Sequence, residues 1–312
     1  MIQAKIIADS INPQGDRLTT FIVTFPRIIL SEFNTHRMFS RNSASSRAIP
    51  FEKMVKSVEE NPFIPIAWQK QHKGMQGTEY WTEENIIKYL EDSWIESMHK
   101  ALQSAKLLTS KGVTKQLCNR LLEPFMWHTV IITSGKEGLE NFFNLRNHEA
   151  AEIHIQELAK RMLEVYNESK PKQLQTGEWH IPFSDNIDEN NLKEVLKKMS
   201  IQNELGESII GAGSRAIRKI ATARCARISY TVVGEENKEP NYENDIKLHD
   251  RLAESGHWSP FEHCAKAMSD TEYSNFVKGD TSKAKQGSDI YGWCNNFKGF
   301  IQYRYLIENG QG

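Results

Sequence analysis

The sequence predicts one α+β domain over residues 1–312, and three observations carry that reading. Runs with strand character stand near both ends of the chain, at 4–8 and 19–25 and again at 264–268 and 299–306. Between them, apolar residues recur three and four apart over 82–112 and 136–166, the spacing of buried helix faces. No internal repeat and no low-complexity linker divides the chain.

Asn12-Pro13-Gln14-Gly15 is a turn between the first two strands, and Pro26 closes the second. Residues 35–50 are rich in Ser, Arg and Asn without periodicity, which reads as an irregular, functional loop. Pro62, Pro65, Gly74 and Gly77 mark a second excursion over 60–80. Thr82 is the expected N-cap of a helix with Glu83 and Glu84 in its first turn. Ile87, Leu90, Trp94, Met98, Ala101, Ala105 and Leu108 form its face, and Gly112 stops it. One continuous helix is expected over 136–166, burying Leu139, Phe142, Phe143, Ala151, Ile155, Leu158, Met162 and Val165. Shorter helices are expected near 190–204, 206–223 and 243–255, and a further strand over 226–232.

Apolar residues make up 39% and charged residues 25%, enough for a substantial core. A net charge of -1 gives no basic field for non-specific nucleic-acid binding, so no nucleic-acid partner is expected. No apolar run reaches the roughly 18 residues of a membrane-spanning helix, so no membrane is expected either. Met1-Ile2-Gln3-Ala4-Lys5 lacks the pattern of a signal peptide, and the four cysteines form no C-x-x-C pair. Both point to a reducing, cytoplasmic compartment with free thiols.

Four segments can carry chemistry. Thr35-His36-Arg37-Met38-Phe39-Ser40-Arg41-Asn42-Ser43-Ala44-Ser45-Ser46-Arg47 gathers three arginines, a histidine and several hydroxyls, with no acid between Glu32 and Glu52. Composition alone also fits a solvated loop, but unpaired guanidinium forks suit a phosphate or a pyrimidine edge. In Phe142-Phe143-Asn144-Leu145-Arg146, the arginine falls beside the apolar face and needs a partner, either Glu149 or a ligand. Gly256-His257-Trp258-Ser259-Pro260-Phe261-Glu262-His263 reads as a helix start with proline at its first position. A metal on His257, His263 and Cys264 is an alternative, but the spacing fits no standard zinc pattern, and no metal is assigned. Ala226-Arg227-Ile228-Ser229-Tyr230 says little alone.

Together the four segments resemble the flavin-dependent thymidylate synthases. That family's R-H-R-x-x-S-x-N-E-x-S-x-R is matched at His36, Arg37, Ser40, Asn42, Ser45 and Arg47. Its F-L-x-L-R helix is matched by Phe142, Leu145 and Arg146, with Ala151 and Ile155 further on. Its H-x-S-P-F-E-H is matched in full from His257 to His263, and its A-R-V-S-Y by Ala226 to Tyr230 with Ile228 for valine. The family places those last two motifs before the R-H-R loop; here they follow it, which implies a circular permutation.

The resemblance implies a mixed, largely antiparallel sheet packed with long helices. It implies reductive methylation of dUMP at C5 with FAD, NADPH and methylenetetrahydrofolate, in a homotetramer with shared sites. Carried over residue by residue, His36, Arg37, Asn144, Arg146, His257, Ser259 and Glu262 fall at the cofactor and Ser45, Arg47, Glu32 and Gln156 at the nucleotide. His257 and Arg47 fall at the reacting centre. The sequence departs from the family at Thr35, Ser43, Glu137 and Gln156, two of which stand where the family has phosphate-facing arginines. Either other cations, such as Lys136, Arg41 or Arg215, replace them, or the nucleotide differs, dCMP with hydroxymethylation or hydroxylation at C5 being examples. A non-catalytic nucleotide-binding relative is the third reading.

Overall fold

The computed structural model describes residues 1–74, 77–199, 209–230, 241–278 and 290–311. Its main sheet is built from β1 (Gln3–Ile11), β2 (Arg17–Pro26), β3 (Ser40–Ser43), β4 (Trp127–Gly135) and β5 (Lys172–Gln173), in the order β3-β4-β2-β1-β5. All pairs are antiparallel except β1 with β5, so the sheet is mixed. The second sheet joins β6 (Trp179–His180) and β7 (Ala265–Ala267). After the hairpin of β8 (Trp293–Cys294) and β9 (Phe297–Lys298), β10 (Phe300–Gln302) pairs with β7 on its other side.

β2 is central, and its alternation decides the layering. Phe21, Val23 and Phe25 point to one face, where they pack with Leu139, Phe142, Ile155, Leu158 and Met162. Leu18 and Thr20 point to the other, toward the second sheet. There Leu18 meets Leu174, Ala265, Phe297 and Phe300, and a run of buried polar groups crosses between the sheets. Ser10 Oγ lies 2.9 Å from His180 Nδ1, and His180 Nε2 lies 2.8 Å from Thr20 Oγ1. Thr20 and Thr133 pair through their hydroxyls at 2.7 Å, and Thr133 meets His263 Nδ1 at 2.9 Å. Outside the second sheet, Ala221 and Ala223 of the helix Ile209–Arg227 pack with Leu248 and Leu252 of Tyr242–Glu254, and with Phe261 and Tyr303.

The strands at 4–8, 19–25 and 264–268 are present. Several expectations are corrected. The single helix over 136–166 is two, Lys136–Arg146 and Ile153–Glu168. Asn147 leaves helical geometry at φ -85°, ψ 55°, and the Glu152 carboxylate caps the second helix on the amides of His154 and Ile155. The helix at 82–112 runs Glu84–Ser110 from an N-cap at Glu83 that makes no side-chain bond, so Thr82 is not its cap. Only Met98, Leu102 and Ala105 of it are fully buried. Residues 226–230 are not strand: the helix continues to Arg227, and Ile228–Tyr230 form a 3-10 turn, with 231–232 outside the described residues. Residues 299–306 divide into β10 and the helix Tyr303–Glu308. The helix expected near 190–204 is Glu189–Lys198, with 200–204 outside the described residues, as are 206–208 of the next.

Candidate active site

After the helical turn Leu30–Phe33, the chain enters the loop that becomes β3. His36 is buried there between Phe39 and Phe142, at ring-centroid distances of 5.8 and 4.8 Å. Burial, and then the neighbouring guanidiniums of Arg146 and Arg41, push its pKa down to about 4. His36 is therefore neutral at pH 7, and its Nε2 accepts from Arg146 Nε at 2.9 Å, which leaves its proton on Nδ1. Arg146 Nη2 also donates to Thr35 Oγ1 at 3.2 Å. Arg146 is the last residue of its helix, so it turns to His36 and Thr35, and Glu149 is not its partner. Arg41 donates through Nη1 alone, to the carbonyls of Asn34 (2.9 Å) and His36 (3.4 Å).

Asn42 ties this loop to the two motifs that come late in the chain. Its buried amide Nδ2 donates to the Cys225 carbonyl at 2.7 Å and lies 3.4 Å from Ser229 Oγ. Its Oδ1 accepts from Ser259 Oγ at 3.1 Å. One turn on, Ser45 N donates to the Ser229 carbonyl at 3.1 Å. Ser259 opens the 3-10 turn Ser259–Glu262, with Pro260 fixing its first step. Glu262 accepts from Arg304 Nη1 at 2.7 Å, and its negative charge also acts on Arg41. All four segments therefore meet on the loop 35–47.

The C-terminal segment completes the frame. Asn296 Nδ2 donates to the Met38 carbonyl (2.9 Å) and to Ser40 Oγ (3.0 Å), and Gln302 Nε2 reaches Ser40 Oγ at 3.2 Å. Arg304, Asn296 and Gln302 are the residues that sequence reasoning missed. Only the i,i+4 spacing of Arg304 and Glu308 was readable, and it points along the helix rather than to Glu262.

Other predicted residues are not drawn in. The side chains of Arg37, Arg47, Asn144 and His257 are exposed and bond to no described residue. Gln156 is half-buried, and its side chain also bonds to no described residue. The Glu32 carboxylate accepts from Ser31 Oγ alone among the described residues, at 2.9 Å, and Ser45 Oγ accepts from Arg47 N at 3.3 Å. His263 and Cys264 are fully buried, whereas His257 is exposed, and no group of three metal-ligating side chains forms among the described residues.

Comparison with known proteins matches residues 17–172 to the family model described as thymidylate synthase complementing protein (Thy1). A flavin-dependent thymidylate synthase of Aquifex aeolicus is 26% identical over 146 residues, 47% of this chain. The chain spans 44% of the length of that curated relative. Among solved structures, the Streptomyces cacaoi UMP/dUMP methylase PolB bound with 5-Br dUMP aligns at a TM-score of 0.42 and 16% identity, over 49% of this chain and 66% of the other. The same methylase bound with 5-Br UMP aligns at 0.46 and 15%, over 54% and 89%.

Proposed function

The chain belongs to the thymidylate synthase complementing protein family, and from that premise we propose that it is a flavin-dependent enzyme that methylates dUMP at C5. The observation that carries the reading is the meeting of the four motif segments on one loop, through Arg146–His36, Ser259–Asn42 and Ser45–Ser229. The two late segments lie 183 and 217 residues from Asn42 in sequence, and both bond to it.

The donors gathered at this loop fit a flavin dinucleotide: Arg146 and Arg41 bond only to neutral groups, which suits the anionic diphosphate. In this reading His36, Arg37, Asn144, Arg146, His257, Ser259 and Glu262 hold the flavin. Ser45, Arg47, Glu32 and Gln156 hold the nucleotide, with His257 and Arg47 nearest the reacting carbon. When bound, the flavin supplies hydride drawn from NADPH, and methylenetetrahydrofolate supplies the carbon. His36, neutral and pinned by two phenylalanine rings, orients Arg146 by accepting from Nε, and Asn42 fixes Ser259 against the loop. The exposed, unbonded side chains of Arg37, Arg47, Asn144 and His257 support a site completed by other subunits, as in a homotetramer.

Purified protein should be yellow and convert dUMP to dTMP when given the folate and NADPH; a colourless protein that takes up no flavin refutes the reading. Glu137 and Gln156 supply no positive charge where the family has arginines, which favours a second reading, C5 modification of another nucleotide such as dCMP. Mass spectrometry over a nucleotide panel separates the two, and exclusive formation of dTMP removes the second.

A further inference from the structure

A half-buried guanidinium is expected to have a carboxylate or an anion beside it, because removing its charge from water is costly otherwise. Most half-buried arginines here obey: Arg17 pairs with Asp9 at 2.6 Å and Arg27 with Glu123 at 3.2 Å. Arg224 has a counterpart in Asp245 (3.7 Å), and at the candidate site Arg304 has one in Glu262. Arg41 and Arg146 do not, and neither does Arg218, which lies over the Trp179 ring (4.3 Å) away from the loop 35–47. Arg146 spends Nε and Nη2 on neutral His36 and Thr35, and Arg41 spends only Nη1, on two carbonyls. Arg41 Nε and Nη2 bond to no described residue. Both guanidiniums bond to His36, Arg146 at ring Nε2 (2.9 Å) and Arg41 at the carbonyl (3.4 Å). The acid whose charge acts on Arg41 is Glu262, which is already committed to Arg304.

We propose that Arg41 is a phosphate-binding residue of this site, its free Nε and Nη2 edge receiving a phosphate oxygen that it shares with Arg146. This rests on the flavin and nucleotide reading above and deepens it. Arg41 stands outside the motif that carries the resemblance, at a position the pattern leaves open, and it supplies a cation to a chain that has Glu137 and Gln156 where two arginines are expected. The shared chemistry is a phosphate group. It belongs either to the diphosphate of the dinucleotide or to the monophosphate of the pyrimidine nucleotide.

Two ligand pairs distinguish the sources: FAD against riboflavin, and dUMP against deoxyuridine, each titrated by fluorescence or calorimetry into the full chain. Arg41→Gln keeps a donor for the Asn34 and His36 carbonyls while removing the charge, and Arg41→Lys keeps the charge while losing the fork. Losing one charge-assisted bond should weaken the phosphate-bearing member of one pair about ten- to a hundred-fold in Arg41→Gln, and its phosphate-free member less than about twofold. Arg41→Lys should fall between. The pair that shows the split names the source. Equal affinity of wild type and Arg41→Gln for FAD and for dUMP overturns the inference alone. So does equal weakening of phosphate-bearing and phosphate-free ligands. Failure of the wild-type protein to bind any of the four overturns the functional reading beneath it as well.

Discussion

Lowering the pH from 7 to 5 should destabilise this protein through histidines that the fold holds neutral. His263 is fully buried, and burial, then the nearby His180, push its pKa down to about 3. His180 is held down to about 4 by burial, which the charge of Asp9 opposes, and His128 to about 3 by burial and Arg27. In the unfolded chain each titrates near 6.5. The unfolded state therefore binds more protons below that value, and stability falls as pH drops from about 6.5 toward the folded values. Over pH 7 to 5 each histidine contributes a loss of about 2 kcal/mol, so these three and His36, held down to about 4, together remove about 8 kcal/mol, a large share of a typical folding free energy. The amino terminus, held down to about 6 by burial, adds a smaller loss of the same sign. Urea denaturation at pH 7.0 and 5.0 measures the difference, and His263→Gln, neutral at both, should shrink it by about 2 kcal/mol. An unchanged unfolding free energy between the two pH values refutes the reasoning. So does a His263 ring resonance that titrates near 6.5 in the folded protein.

Gly299 sits at φ 72°, and a Cβ there would strike the side chains of Asn12 and Asp16, so Gly299→Ala should cost about 2–4 kcal/mol in thermal unfolding. A retained melting temperature refutes that account. Asn42→Ala removes the bonds to Cys225, Ser229 and Ser259 together and should cost about 2–4 kcal/mol, with loss of flavin uptake at temperatures where the variant is still folded. A variant of full stability and full uptake would show that the loop is held by other contacts. Arg304→Gln should change stability by less than about 1 kcal/mol, because the pair with Glu262 is partly exposed, yet weaken flavin retention by freeing Glu262. Unchanged retention would place Glu262 outside the cofactor contacts.

The fold was legible where a periodic pattern meets a complete apolar face. The strand at 19–25 and the Leu158, Met162 face were readable because their apolar residues are buried. The break at 147–152 was not, because Ala151 and Ile155 keep helical spacing with the residues before it while Asn147 and Glu152 end and restart the helix. Ala226-Arg227-Ile228-Ser229-Tyr230 has strand composition, yet tertiary context overrides it: Ala226 packs against Leu252 and Phe261 as the last turn of a helix. At the site, residue types were legible and partners were not. His36 and Arg146 stand out in the sequence, but their bond spans 110 residues.

The same limit explains why chain order misleads about this site. The family match ends at residue 172, whereas Ser229 and Ser259 lie beyond it. What a site requires is that its groups meet at fixed distances, and connectivity matters only through the loops that it needs. Asn42 supplies the meeting point with one buried amide: its donors reach Cys225 and its acceptor takes Ser259. A buried amide satisfied at both ends is costly to leave half-paired, so each late segment stabilises the seat of the other. Asn296 and Gln302 act on Ser40 in the same way from the tail. A permuted order of motifs is then compatible with an intact site, because the loop 35–47 is positioned by side-chain bonds from segments that arrive late, and those bonds are indifferent to the order in which the segments are strung.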